Sequence, residues 1–224
     1  MSVRSLQYDA RETRPAPLRR IVQRCVKPVH IFLRQRRLDL FFRLARVSAT
    51  DTLLDVGGGL GVGGEFQRLY QSFRTVTIAN PRLSPPDCSP DSWVRIAADG
   101  CALPFRSKSF DWVFSNAVIE HVGDWESQMS FASEVRRVAR KGYFISTPNR
   151  YFPIEQHTLL PGYQFFPTGL QRAALRLSLG YVLDYEPTWL LSVRELCALF
   201  PDARIFKTGI PGMPNSLVAF CGDA

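Results

Sequence analysis

The sequence predicts a doubly wound α/β fold, a mostly parallel sheet with helices on both faces. Three observations predict it. Short apolar runs of strand composition alternate with helix-period segments between residues 52 and 147. A glycine cluster follows the first of these runs directly, beginning at Gly57. Polar residues that could serve a ligand stand at the run ends, at Asp55, Asn80, Asp99 and Asn116. Sheets of this class bind ligands beyond the carboxyl ends of their strands.

Each element follows from its residues. Residues 1–17 are polar, contain Pro15 and Pro17, and read as a loose leader. Residues 18–47 read as helical, because Ile21, Val22, Val26, Val29, Phe32, Leu33, Leu40, Phe41 and Leu44 recur mostly at steps of three and four. Pro28 is expected to begin, break or kink a helix there. Thr52–Val56 is a strand running into a tight turn, and Val62–Tyr70 the helix after it. Arg74–Ala79 has strand composition and stops at Asn80-Pro81. Residues 81–92, rich in Pro and Ser, are loop. Trp93–Ala97 and Phe110–Ser115 are the third and fourth strands, Asp124–Arg140 a helix, and Gly142–Thr147 the fifth strand, stopped by Pro148.

The alternation then breaks. Residues 149–190 are rich in aromatics and prolines, with a helix expected at Thr168–Leu179. A helix at Val193–Phe200 and two strand-like runs, Arg204–Thr208 and Ser216–Cys221, complete the chain. The short turn Pro211–Asn215 between those runs suggests a C-terminal antiparallel hairpin. The expected fold is therefore a seven-stranded, Rossmann-like sheet with that hairpin and an N-terminal helical arm. Residues 1–47 form the arm, 48–224 the main domain, with an insertion at about 149–190.

Composition narrows the class. A chain of 224 residues, 46% hydrophobic and 21% charged, is long enough to bury a full core. The five cysteines are scattered without C-x-x-C spacing, so neither a disulfide framework nor a zinc site is indicated. No apolar run approaches the roughly 18 residues of a membrane span, and the N-terminus lacks the apolar core of a secretory signal. A cytoplasmic protein is the expectation. The net charge of +8 is unevenly placed: the arm carries +9, from twelve basic residues against three acidic ones, and the rest of the chain −1.

The turn Asp55-Val-Gly57-Gly58-Gly59-Leu-Gly61 lets backbone approach a ligand closely. The following helix aims its N–H groups at the same place, which suits a carboxylate or phosphate. Gly59-x-Gly61-x-x-Gly64 also fits a dinucleotide fingerprint, and a nicotinamide-dependent oxidoreductase is one reading of it.

Three segments together separate the readings. Leu54–Gly61 resembles the D-x-G-x-G-x-G loop, Ala98–Phe105 the D-x-x-x-L-P-F segment, and Ser109–Asn116 with Ile119–Val122 the fourth strand and turn of one family. That family is the class I S-adenosylmethionine-dependent methyltransferases, in their small-molecule branch, type 11. The resemblance covers roughly residues 50–148. It implies S-adenosylmethionine as cofactor, with Gly57, Gly59 and Gly61 against its methionine end and Asp55 supporting that loop or holding the amino group. It puts Asp99 on the adenine amine, with Gly100 and Cys101 near the ring, and Asn116 where strand four delivers backbone contacts to the methionine part. The sequence departs from the family at the end of the second strand. An Asp or Glu usually grips both ribose hydroxyls there, and Asn80 is the nearest candidate. A carboxylate would accept two charge-assisted bonds. Weaker binding follows, or another partner such as Arg82, or a non-catalytic member that uses the fold as a binding or scaffold module.

Methyl transfer from a sulfonium needs mainly alignment and exclusion of water. An oxygen or nitrogen acceptor can also need a base. His157 is the first choice for a general base or acceptor ligand, with Glu155 orienting it, in a segment that commonly forms an acceptor-side lid in this family. His121, after Glu120, stands at the mouth of the site. In some relatives such a Glu-His pair contributes to a metal site, with a further Glu three residues earlier. This chain has Ala117 there, so no metal site is expected. His30, in the basic helix, is expected on the surface. Tyr151, Phe152, Tyr163, Phe165, Phe166 and Trp189 could wall an apolar acceptor pocket or pack the lid itself.

The expected acceptor is a small molecule, or one linked to lipid or sugar, taking the methyl on O or N. The arm could lie on an anionic membrane surface, bind nucleic acid, or simply cover the sheet with its arginines in water. The last is the simplest. No nucleic-acid partner is expected, because N/D-P-P-Y/F is absent where Asn116–Ile119 stands.

Overall fold

The computed structural model describes residues 17–58, 66–82, 93–175 and 188–222. In chain order the elements are α1 (Pro17–Leu44), β1 (Thr52–Val56), α2 (Gln67–Gln71), β2 (Thr75–Ala79), β3 (Trp93–Ile96), β4 (Phe110–Asn116), α3 (Trp125–Val138), β5 (Ala139–Pro148), α4 (Thr168–Ala174), α5 (Val193–Leu199), β6 (Arg204–Ile210) and β7 (Met213–Gly222). All seven expected strands form one sheet, ordered β3-β2-β1-β4-β5-β7-β6. The pairs from β3 to β5 are parallel, and β7 runs antiparallel between β5 and β6. The C-terminal hairpin is thereby as expected.

Strand alternation divides the core in two. Leu53, Trp112, Phe114, Phe144 and Phe220 face one side, where α1 lays Leu38 and Phe41, Ala45 follows just past its end, and α2 adds Leu69 and Tyr70. Leu54, Val113, Ile145 and Ala219 face the other, against Phe131 and Val135 of α3 and Leu196 and Leu199 of α5. Phe41 is 0% exposed and meets Trp112, Phe114 and Phe144 edge-on, so α1 is anchored on the sheet through one ring. Pro28, expected to begin, break or kink a helix, lies inside α1, which runs on through it.

The helices begin where their caps allow. Asp124 accepts the Ser127 N–H at 3.0 Å to start α3, and Ser192 with Glu195 forms a capping box on α5. At the amino ends of the strands, Lys141 bridges Asp51 at 2.5 Å and Arg140 bridges Asp111 at 2.5 Å. These ion pairs tie the starts of β1, β4 and β5 together. The Leu103-Pro-Phe105 segment is clamped by α3, where Glu134 accepts the Leu103 N–H and Arg137 donates to the Leu103 and Phe105 carbonyls.

Two expected helices are described only in part. Of Val62–Tyr70, α2 accounts for the end, and residues 59–65 lie outside the described residues. Of Thr168–Leu179, α4 covers the first turns, and residues 176–187 lie outside. The loop at 81–92 is described only to residue 82.

Candidate active site

The carboxyl ends of β3, β2, β1 and β4 lie side by side, so Asp99–Gly100, Asn80, Gly57–Gly58 and Asn116 follow one another along one edge. Four adjacent strands span roughly 14 Å, about the reach of a nucleoside joined to an amino acid. Gly59 and Gly61 lie outside the described residues.

The loop after β1 is braced from beneath. Gly57 adopts φ +81, and its N–H donates to the Ala79 carbonyl at 2.7 Å. A Cβ there would come within 2.4 Å of Val118, so only glycine fits on both counts. Asp55 is buried beneath the loop and accepts the Tyr70 hydroxyl. Burial pushes its carboxyl up to about 6, against the pull of that hydrogen bond. Of the two roles implied for Asp55, the observed contact is support. Ser115 ties β4 to the same turn through the Val56 carbonyl at 2.8 Å.

Asn80 also serves the loop. Its amide donates to the Gly58 carbonyl at 3.0 Å and approaches that of Gly57 at 3.4 Å, while its oxygen accepts the Arg82 N–H at 2.9 Å. A ribose-gripping carboxylate is not at this strand end, and Asn80 holds the turn in place.

Asp99 is exposed, with one oxygen accepting the Cys101 N–H at 2.9 Å. That is a turn which leaves the carboxylate at the surface of the edge. Gly100 is buried, and a Cβ would meet the Phe131 ring at 2.8 Å. Burial, then Asp99, push the Cys101 thiol up to about 11, so it stays protonated.

At β4 the surroundings change. Asn116 Oδ1 accepts from Ser146 at 2.8 Å and from Arg37 of α1 at 3.1 Å. Arg37 also reaches the Ser216 hydroxyl at 3.3 Å. Here α1 overhangs the strand ends and encloses a cavity of about 430 Å³ lined by Lys27, His30, Arg34, Arg37, Asn116 and His157, among others. Two expectations are corrected. His30 is half-buried in this cavity rather than on the surface, and burial, with Arg34, Arg37 and His157, holds it below its ordinary value. The arm covers the sheet, as its simplest reading has it, but it also turns basic residues onto the site.

His157 and Glu155 sit together as expected. The His157 Nδ1 lies 2.6 Å from Glu155 Oε1, and Glu155 also accepts both N–H groups and the hydroxyl of His157–Thr158. Burial raises the Glu155 carboxyl, and the His157 and Thr158 bonds more than offset it, so it lies below the ordinary glutamate value. The exposed His121 meets the His157 ring edge-on at 5.0 Å. Beneath them Glu120 is 0% exposed. Its Oε2 accepts the Thr147 hydroxyl at 3.0 Å, and Oε1 is buried with no partner. Burial pushes this carboxyl up to about 7 against the pull of His157, Thr147 and Arg37.

Sequence reasoning weighed the two histidine pairs separately and missed Arg37, Ser146 and Ser216. The signal for the first was available, since consecutive parallel strands place their end loops together. The aromatics do not wall the cavity. Tyr151 is 67% exposed and stacks on Phe165, Tyr163 packs on Phe166, and none of the six lines the space under α1.

A model of the methyltransferase-domain family, type 11, matches residues 54–146. No curated protein matches the sequence. Among solved structures, magnesium protoporphyrin IX methyltransferase from Synechocystis, with bound S-adenosylhomocysteine, is similar at 14% identity and TM-score 0.55, covering 91% of this chain and 87% of its own. An S-adenosylmethionine-dependent methyltransferase from Mesorhizobium loti is similar at 13% identity and TM-score 0.55, covering 83% and 96%. One from Aquifex aeolicus is similar at 12% identity and TM-score 0.52, covering 82% and 87%. At such identities the structures show the fold, and the family match gives that fold its class. Residues 54–146 thus match the methyltransferase-domain family, type 11, on a fold that the chain shares with solved S-adenosylmethionine-dependent methyltransferases.

Proposed function

We propose that the protein methylates an O or N atom of an anionic acceptor, either a small molecule or one linked to lipid or sugar, held in the cavity beneath α1. One observation carries this reading. Asn116 stands both at the end of the cofactor edge and in the wall of that cavity, so donor and acceptor spaces meet at one residue. Lys27, Arg34 and Arg37 line the cavity and, among the described residues, no carboxylate does, which favours a phosphate, carboxylate or phenolate.

The residues along the edge suit S-adenosylmethionine. An exposed carboxylate at Asp99 can take the adenine amine, and a side-chain-poor turn at Gly57–Gly58 allows close approach. The bound cofactor supplies an activated methyl group on a sulfonium. The protein is then asked to align the acceptor and keep water out. His157, held through Nδ1 by Glu155, lines the cavity, and its other ring nitrogen is the candidate proton acceptor. Incubation with methyl-labelled cofactor and a panel of phenolic, phosphorylated and lipid-linked acceptors tests the proposal. Labelled product that is lost in His157→Ala with cofactor affinity intact supports it. Labelling only of neutral or cationic acceptors rejects the anionic assignment.

A non-catalytic binding module is the second reading, and Asn80 favours it, because the ribose-gripping carboxylate is replaced by a loop brace. Absence of cofactor binding at millimolar concentration would select it.

A further inference from the structure

Helix α1 carries apolar side chains on two opposite faces. Leu33, Leu38 and Phe41 are buried on the side of the sheet. On the outer side Ile21, Val29 and Phe32 are each more than half exposed, and Cys25 and Pro28 between them are exposed as well. The steps from 21 to 25, 28, 29 and 32 keep to one side of a helix, so the five form a stripe roughly 16 Å long. Single exposed apolar residues are ordinary, but a contiguous patch rimmed by polar groups marks a surface that something covers.

The stripe continues into a second element. Arg36 lies over the Phe32 ring at 5.8 Å and also lines an open groove of about 540 Å³ between α1 and the C-terminal hairpin. The groove runs past Leu40, Arg43 and Lys207 to Ile210 and Pro211 at the tip of β6 and β7. Ile210 and Met213 are exposed there. Helix and hairpin meet in one surface on which apolar and basic side chains are interleaved. Its charge is of one sign. Of the ionisable residues of α1 other than His30, eight are Lys or Arg and one is an acid, Asp39, which pairs with Arg68 at 2.7 Å. Arg24, Arg36, Arg43 and Lys207 are all exposed.

We infer that the outer face of α1, together with the hairpin tip, docks on an anionic lipid bilayer, with the helix lying along the headgroup layer. No helix of the described residues is long and apolar enough to cross a membrane, so the contact is with one surface. Apolar side chains of such a helix enter the boundary of the acyl chains, and the arginines beside them stay with the lipid phosphates. Two other occupants fit less well. A second copy packed through the same face would set arginines against arginines. A nucleic acid would meet the arginines through its phosphates and leave Ile21, Val29 and Phe32 in water.

Docking itself does not depend on methyl transfer. Its consequence rests on the proposed function: the acceptor is then the lipid-linked one, carrying a phosphate. Lys27, Arg34 and Arg37 line the cavity from the same turns of α1 whose outer side meets the lipid. A head group reaches the cavity by passing one helix, about 10–12 Å across.

The test uses the full chain without cofactor or acceptor, sedimented with vesicles of phosphatidylcholine alone or with about one third phosphatidylglycerol. Binding to the anionic vesicles should be about tenfold stronger or more, and should fall as salt rises. Arg24→Ala and Arg36→Ala should each weaken it about fivefold, through loss of one charge at the surface. Val29→Ser with Phe32→Ser should weaken it about tenfold or more, and Ile210→Ser with Met213→Ser several-fold. All four side chains are exposed, so circular dichroism should show both double variants folded. Phe32→Trp should gain fluorescence that lipids brominated in their acyl chains quench. Equal binding to neutral and anionic vesicles, no sedimentation with either, or full-strength binding by either double variant would overturn the inference. So would a dimer that Val29→Ser with Phe32→Ser dissociates, or tighter binding to a nucleic-acid duplex than to the anionic vesicles. Labelled-cofactor turnover of vesicle-borne acceptors reports separately: docking without turnover leaves the membrane contact standing and rejects only the lipid-linked acceptor.

Discussion

The ends of β1 and β4 each bury a carboxylate, and the protein treats the two differently. Asp55, at β1, accepts the Tyr70 hydroxyl and lies under a loop that Asn80 and the Ala79 carbonyl also hold. Glu120, just past β4, keeps one oxygen unpaired and is surrounded by histidines and Arg37. The first end is a finished structural support that leaves backbone for a ligand. The second stores an unmet electrostatic demand beside a cationic cavity. Under the proposed function, the first end would serve the donor and the second the acceptor.

The comparison breaks most readily where α1 meets the β4 side. Phe41→Ala empties the contact with Trp112, Phe114 and Phe144 and should lower the unfolding free energy by about 3–5 kcal/mol in urea titrations. A loss below about 1 kcal/mol would mean that the roof of the cavity is not anchored there.

The next largest effect sharpens the β1 side. Asp55 has an ordinary value of 3.8 and a folded value of about 6, so between them the folded state binds more protons than the unfolded one. Stability therefore falls as pH rises through that window and the penalty persists above it. Asp55→Asn has no proton to lose and can still accept from Tyr70. Relative to the parent, it should gain up to ~3 kcal/mol between pH 4 and 7, read from urea midpoints at several pH values. An unchanged difference across the window would show that Asp55 is ionised throughout. Tyr70→Phe removes the donor without changing shape much and should cost about 1–3 kcal/mol near neutral pH. No measurable cost would mean that the hydroxyl contributes nothing to the support.

The smallest expected effect is at the other carboxylate's neighbour. His121→Ala removes an exposed ring and should leave stability within about 0.5 kcal/mol. A larger loss would recast His121 as part of the packing.

These two ends were unequally legible in the sequence. The strands, the glycine turn and Asp55 follow from short-range patterns, alternation of side chains and a glycine whose φ no other residue tolerates. The place of Asn80 did not follow, because whether an amide meets a ribose or the carbonyls of Gly57 and Gly58 is decided by a turn 22 residues away. His30 and Arg37 were misjudged for a similar reason. Helical period gives the buried face of α1, but it does not tell how far along the sheet that helix extends. His121 and His157 are joined only by strand adjacency, which the order of the sheet supplies and periodicity cannot.

The account depends on a donor shelf running from Asp99 to Asn116, and calorimetric titration with S-adenosylmethionine tests it most directly. Saturable one-to-one binding is predicted, weakened by about 1–3 kcal/mol in Asp99→Ala through loss of a hydrogen-bonded partner. Equal affinity in the variant, or no heat at millimolar cofactor, would contradict it.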